Sequence, residues 1–265
     1  MGSSLIILNA DFSENAIPVW LKMLVKKGTA VSIPVREGAD GSDIIFYIEA
    51  DATNADEDTY FELEIPNAYK NTTFNYTLGL FSPNYNPSAA NIKELYIDVS
   101  NLGTAGYLCL QNNTLEKITI LSRKPSALGF SSGFQSLNNL KYFDCSKFQA
   151  GGQDTSFYPL MCPKVEEANL SFDWKTTPSI TMIDYLGNNC YDLKVLHMNG
   201  WRFANNCTYA NAFMNCLKLE KIYIDDADAA AFLISVLTSV SSAKVDSSRT
   251  AYDATNGVIN VVHTS

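Results

Sequence analysis

The stretch Leu219-Glu220-Lys221-Ile222-Tyr223-Ile224 carries apolar side chains at its first, fourth and sixth positions. The same spacing recurs upstream in Ile92-Lys93-Glu94-Leu95-Tyr96-Ile97, Leu115-Glu116-Lys117-Ile118-Thr119-Ile120 and Leu140-Lys141-Tyr142-Phe143-Asp144-Cys145. It recurs again in Val165-Glu166-Glu167-Ala168-Asn169-Leu170 and Leu193-Lys194-Val195-Leu196-His197-Met198. Counted between first residues, the intervals are 23, 25, 25, 28 and 26. One such copy is common in any protein, but a series at near-constant spacing defines an internal repeat. Within each copy the fourth and sixth residues lie two apart, as the inward side of a short strand requires. The first apolar residue, three positions earlier, turns the chain into that strand. Stacked coils of this length form a parallel sheet along one side of a solenoid, and each buries its apolar face only against its neighbours.

The cysteines follow the same register. Cys162, Cys190 and Cys216 each stand three residues before the first apolar residue of the next copy, and Leu137 takes that place before Leu140. A position filled by Leu in one coil and Cys in others is an interior packing position, where Cys acts as a small hydrophobe. Coils roughly 4.8 Å apart would also bring these thiols near one another, so a metal site of stacked thiolates is the alternative. Six Cys in 265 residues, with no CxxC spacing, point to reduced thiols and not to a disulfide scaffold.

The segment Asn211-Ala212-Phe213-Met214-Asn215-Cys216-Leu217-Lys218-Leu219 resembles the leucine-rich-repeat superfamily in its BspA-like type, where an aromatic residue and an Asn-Cys pair precede the strand. Tyr185-Leu186-Gly187-Asn188-Asn189-Cys190 and Gly133-Phe134-Gln135-Ser136-Leu137 echo it. The resemblance spans residues 92–226, departs from the family in its uneven spacing, and lacks the aromatic-Asn-Cys step before Leu115. It implies an α+β, β-rich fold: a leucine-rich-repeat solenoid of about six irregular repeats.

The flanks read differently. Residues 1–81 suggest a small β domain or cap, with strands at Leu5 to Leu8, Val31 to Val35, Ile44 to Ile48, Tyr60 to Ile65 and Phe74 to Leu80. In the fourth of these, Phe61, Leu63 and Ile65 alternate with Glu62 and Glu64, which predicts one wet face. The turn-rich segment 82–91 serves as a linker to the solenoid at 92–226. Residues 227–265 read as a helix-strand cap. Its helix runs from Ala227 to Val240 with an apolar stripe of Leu233, Val236, Leu237 and Val240, and its strand from Val258 to Val262. Such a cap closes the otherwise open solenoid core.

Composition narrows the function. Hydrophobic residues make up 46% of the chain, enough for a sizeable core, so disorder over most of the length is excluded. With 19 basic against 28 acidic residues and a net charge of −9, there is no general positive field for nucleic acid or anionic lipid. The N-terminus has no basic region of the Sec type, and the run Val19 to Val25 is interrupted by Lys22, so no membrane insertion is expected.

The residues offer little chemistry. His197 lies on a repeat strand opposite the core side and His263 is the third residue from the end; neither has a nearby nucleophile or carboxylate in a known motif. The acidic stretches 40–43 and 51–58 lack EF-hand spacing and read as solvated turns, with a Ca²⁺ site as the alternative. No catalytic residue, metal or cofactor is assigned. The outward positions of the register are Tyr96, Tyr142, Asp144, Glu167, Asn169, His197, Asn199, Tyr223 and Asp225. Aromatic rings mixed with short polar groups suit protein or glycan contacts, and a merely solvated sheet face is the alternative.

The opening stretch 8–17, with Asn9-Ala10-Asp11-Phe12-Ser13, resembles virion and tail-associated proteins of phages of gut Bacteroidetes. Together the two resemblances imply a non-enzymatic structural or host-recognition component of a bacteriophage virion, tail or capsid-associated. Its partners would be other virion proteins, sister copies, or a host surface protein or glycan. The alternative is a BspA-like adhesin of the bacterial cell surface.

Overall fold

The computed structural model describes residues 20–37, 43–65, 68, 81–100, 112–126, 137–150 and 161–264. The expected strands at Leu5 to Leu8 and Phe74 to Leu80, the phrase at 9–13, and Cys109 lie outside them. The described residues are β-rich with one α-helix and wind a parallel β-solenoid of about four turns.

The strands of the main sheet are β1 (Leu21–Val25), β4 (Thr59–Leu63), β5 (Ile92–Asp98), β6 (Lys117–Ser126), β7 (Tyr142–Asp144), β9 (Glu167–Asn169), β12 (Val195–His197) and β14 (Lys221–Tyr223). It ends in β15 (Ala251–Asp253) and β16 (Val258–Asn260). From β5 through β6, β7, β9 and β12 to β14 all pairings are parallel and in register, so that Leu95, Ile118, Phe143, Ala168, Leu196 and Ile222 stack as direct partners. Every first, fourth and sixth residue of the sequence pattern along this series is buried.

One turn recurs below the strands. The first apolar residue of a coil donates its N–H to the carbonyl three residues back: Leu140 to Leu137 and Val165 to Cys162 at 3.1 Å, Leu193 to Cys190 at 3.2 Å. The acceptors belong to an interior column, Ala89, Asn112, Leu137, Cys162, Cys190 and Cys216, all buried. The cysteines therefore pack where the register put them. Asn112 is the polar member, and its Nδ2 donates to the carbonyls of Ala89 at 2.7 Å and Phe81 at 3.3 Å.

Beside the first apolar residue runs a polar column of alternating sign: Lys93, Glu116, Lys141, Glu166, Lys194, Glu220. Its backbone amides step from coil to coil, with Lys141 N–H on Glu116 O at 2.8 Å and Glu220 N–H on Lys194 O at 2.8 Å. Its side chains pair as Lys141 with Glu116 at 2.7 Å and Lys194 with Glu166 at 2.8 Å. Lys93, at the N-terminal end, takes Asp58 at 2.5 Å.

Short return legs complete the coils. The second half of β6 pairs in parallel with β8 (Phe148–Ala150), which pairs with β10 (Asp173–Trp174). Further on, β11 (Ile180–Met182) pairs in parallel with β13 (Phe203–Thr208). Inside this wall Phe148, Phe172 and Trp201 follow one another at 5.8 and 5.9 Å. Gly200 approaches so closely that a Cβ there would lie 2.8 Å from Trp174, and its φ of +83° suits glycine. Two coils also share their backbone path: Tyr185, Gly187 and Asn189 have positive φ, and so do Asn211, Phe213 and Asn215, each 26 residues later.

At the N-terminal end β1 lies antiparallel between β5 and β4, so the sheet of the solenoid continues into residues before 82. The run interrupted by Lys22 is thus a strand of this sheet, and Leu21, Met23 and Val25 are its buried side. The expected strands at 31–35 and 44–48 fall in the hairpin of β2 (Ala30–Glu37) and β3 (Asp43–Asp51), whose Val31, Ile33, Val35 and Ile48 join the same core. Segment 82–91 contains a 3-10 turn, Pro87–Asn91, bonded to that hairpin through Ser88 to Ser32 O at 2.9 Å and Asn91 to Ala30 O at 2.8 Å.

At the other end the helix α1 spans Ala227–Ser239, with the Asp226 carboxylate accepting from Ala229 N–H at 2.8 Å. Leu233, Val236 and Leu237 are buried, whereas Val240 is extended and follows the helix instead of completing its stripe. The closing strand is one arm of a hairpin, since β15 pairs with β16 and β16 pairs antiparallel with β14. Among the described residues no helix is long and apolar enough to cross a membrane.

Two substitutions test this architecture. Leu196→Ala opens a cavity in the middle of the coil stack and should cost about 2–5 kcal/mol, read as a lowered Tm, whereas Lys221→Ala on the outer face should leave Tm unchanged. Glu166→Lys places like charges against Lys141 and Lys194 and should lower Tm at low salt. Most of that loss should vanish at about 1 M salt, where the Debye length is about 3 Å.

Candidate functional site

The parallel register turns alternate strand residues into columns on the outer sheet face. One column reads Glu94, Lys117, Tyr142, Glu167, Val195, Lys221 and the next Tyr96, Thr119, Asp144, Asn169, His197, Tyr223. Of the residues expected to face outward, Tyr142 and Glu167 stand in the first, and Tyr96, Asp144, Asn169, His197 and Tyr223 in the second. All seven are half-buried, because each is flanked by neighbours on the strands above and below. Asn199 and Asp225 lie past the strand ends and are more exposed.

The centre of the face is tied together. His197 Nε2 lies 3.0 Å from Glu167 Oε1 on the neighbouring strand, and the His197 ring stacks on Tyr223 at 4.7 Å with planes 8° apart. Strand spacing dictates this geometry: side chains at matched positions of adjacent strands sit about 4.8 Å apart, the distance at which flat rings stack. Lys117 places its ammonium 5.3 Å from the Tyr142 ring centre, another cross-strand pair. Burial, then the charges of Asp144 and Glu167, push the Tyr142 phenol above its ordinary pKa, so it stays a neutral donor. Tyr96 is raised in the same direction, chiefly by burial and then by Asp98.

Turns at the strand ends orient the acidic and amide groups. Asp144 Oδ1 accepts from Ser146 N–H at 2.8 Å, and Asn169 Oδ1 accepts from Ser171 N–H at 3.1 Å. These are Asx turns, in which a short polar side chain ends a strand by bonding the backbone two residues on. Asp225 Oδ1 accepts from Gly200 N–H at 2.8 Å and from Arg202 Nη1 at 3.0 Å. Partial burial would raise its pKa, but these bonds and the Arg202 charge hold it below the ordinary value. Asn199 donates its own N–H to Ser171 Oγ at 3.0 Å. Asn199 and Asp225 therefore join coils at the margin of the face.

Beyond the expected set, β1 and β4 extend the face. Lys22 is the partner of Tyr96, pairs with Glu62 at 3.0 Å and lies 4.9 Å from the Tyr60 ring. Tyr60 donates to Glu94 Oε2 at 2.7 Å, and burial together with that carboxylate pushes its phenol up to about 12. The Leu21, Met23, Val25 alternation was the signal for this outward Lys22. Lys117 and Lys221 were equally available from the register as the second residue before Thr119 and Tyr223.

The acidic stretch 51–58 does structural work. Asp51 Oδ1 accepts from Thr53 N–H at 2.9 Å, and Asp58 accepts from Lys27 N–H at 2.9 Å besides pairing with Lys93. Among the described residues no group of three His, Cys, Asp or Glu side chains is placed to hold a metal ion. The described cysteines, Cys145, Cys162, Cys190, Cys207 and Cys216, are free thiols and buried. Burial pushes Cys190 up to about 12 and Cys207 up to about 11, and raises Cys145, Cys162 and Cys216 well above the ordinary thiol value. Such thiols are poor nucleophiles and poor metal ligands. No protein-family model, curated protein or solved structure matches the chain.

The thiols provide a test of the interior column. A thiol pKa raised on folding means the native state keeps protons that the unfolded chain releases above pH about 8.5. Stability from these groups is full below that pH and falls as pH rises toward the folded values. Among the described thiols, reaction with a thiol reagent at pH 8 should be slow in the folded chain, with Cys207 first, and fast in denaturant; rapid native labelling of Cys190 would contradict the packing.

Proposed function

We propose that this chain is a non-enzymatic binding scaffold, a leucine-rich-repeat solenoid of the BspA-like type that displays its outer sheet face to a protein or glycan partner. The observation that carries this reading is the cross-strand set Glu167, His197 and Tyr223, held rigid before any partner arrives. Preorganised aromatic and polar groups lose little entropy on binding, and such residues dominate interface energetics. The Glu167–His197 pair leads to Tyr223 and not to a Ser, Cys or Thr nucleophile, which supports binding over catalysis.

Within this reading the chain serves a bacteriophage virion as a structural or host-recognition component. The support is the Asn9-Ala10-Asp11-Phe12-Ser13 phrase of the sequence. Its partners are then other virion proteins or sister copies on the particle side, and a host surface protein or glycan on the displayed side. A bacterial surface adhesin is the second reading, favoured by the Asn215-Cys216 type of repeat. Capsid, portal or tail genes beside the coding gene support the virion, and a surface-lipoprotein neighbourhood supports the adhesin.

The direct test is co-sedimentation of the chain with purified particles, followed by the double variant His197→Ala, Tyr223→Ala. The variant particles should assemble normally and adsorb to host cells at least about tenfold less well, as expected when one binding hot spot is removed. Unchanged adsorption would remove the sheet face from host recognition.

A further inference from the structure

At the C-terminal end of the solenoid a second feature stands apart from the sheet face. Between β13 and the first two turns of α1 lies a cleft of about 410 Å³, lined by Arg202, Phe203, Asn205, Asp226, Asp228 and Phe232 among others. That volume lies in the range of sites for small ligands. Its apolar wall is the pair Phe203 and Phe232, with ring centres 4.5 Å apart. Its charged floor is already organised: Arg202 reaches Asp225 at 3.0 Å, Asp226 at 3.2 Å and the Trp201 carbonyl at 2.8 Å. Asp226 also caps α1 through Ala229 N–H. At the rim, Asp228 and Asn205 are exposed, and among the described residues neither side chain makes a hydrogen bond.

The charges select the ligand class. An anion entering the cleft would meet the carboxylates of Asp226 and Asp228. A cation would find Arg202 and Asp226 already neutralising each other, and the positive end of the α1 dipole beside Asp228, the lining carboxylate that makes no bond among the described residues. A neutral polyhydroxylated ligand needs no compensating charge. Its hydroxyls can donate to Asp228 and Asp226 and accept from Arg202 and Asn205, and bonds to charged groups are the strong kind. Its C–H face can cover the Phe203 and Phe232 rings, removing apolar surface from water. We propose that this cleft is a saccharide-binding site, sized for one or two neutral sugar units and separate from the outer sheet face.

The test uses the full chain with methyl glycosides of glucose, galactose, mannose and N-acetylglucosamine, followed by saturation-transfer NMR and by titration. At least one glycoside should bind, with transfer strongest at its ring C–H protons. Asp228→Ala and Asn205→Ala are exposed changes that spare the fold, checked by circular dichroism, and each should weaken binding about tenfold, the loss of one strong hydrogen bond. The pair His197→Ala, Tyr223→Ala should leave it unchanged, which separates this site from the sheet face. The proposal is overturned if none of the glycosides binds at millimolar concentration. It is equally overturned if the sheet-face variant, and not the Asp228 variant, abolishes binding, or if inorganic phosphate or tetramethylammonium displaces the sugar from the cleft.

Discussion

The constraint on which the rest depends is that, among the described residues, no coil has a core of its own. Leu196 is buried because Ala168 lies on one side of it and Ile222 on the other. The same neighbours supply its strand with backbone partners. Burial and hydrogen bonding are therefore satisfied by one act, stacking, and both fail at the ends of the stack. The two ends carry different solutions. At the start, β1 and β4 and the hairpin of β2 and β3 bring Trp20, Ile33 and Ile48 onto the first coil. At the finish, β16 pairs antiparallel with β14 while α1 lays Leu233, Val236 and Leu237 into the open core.

Stacking also imposes order on the polar residues. Once Ile118 lies on Phe143, every other position is placed against its equivalent in the next coil, whatever its chemistry. Like charges in such a column would repel at each step, and the column from Lys93 to Glu220 alternates instead. On the outer face the same register puts His197 against Tyr223, and Glu167, the partner of Val195, reaches diagonally to His197. The Asx turns of Asp144 and Asn169 hold the strand ends that flank this set. The proposed partner would thus meet side chains fixed by the backbone register and not by their own preferences, the condition under which short polar groups and rings bind without a large entropic cost.

The interior thiols illustrate how the same geometry decides chemistry. Three cysteines in one column could form a metal site if their sulfurs were deprotonated and convergent. Cys162, Cys190 and Cys216 are instead enclosed by Leu137 and the strand residues, and burial keeps the proton on sulfur. Cys216 Sγ even donates to the Gly187 carbonyl at 2.8 Å, which uses the thiol as a small polar spacer between coils. Chemistry is left to the surfaces, where the sheet face and the cleft beside α1 present groups that are both oriented and open to solvent.

How much of this was legible depends on how local the cause is. Repeat spacing exposed the parallel strands, because an apolar residue at a two-residue period has one place to go in a stacked coil; the outward positions of Tyr142, Glu167, His197 and Tyr223 followed. Helix α1 was visible in its apolar stripe, though not its end, since Val240 fits the stripe and yet lies in extended backbone. The strand β15 and the membership of β1 in the solenoid sheet were not announced, because Ala251-Tyr252-Asp253 is too short to show a period and β1 finds its partners far away in sequence. Coil length, the buried columns and the set of side chains turned outward all follow from backbone period and are written in the residue spacing. Which side chains touch is settled only in the folded chain: the stacking of His197 on Tyr223, the double grip on Arg202, and the cleft beside Phe203 and Phe232. Each arises where different coils or the cap meet, and contact between distant segments has no signature in the spacing of either one.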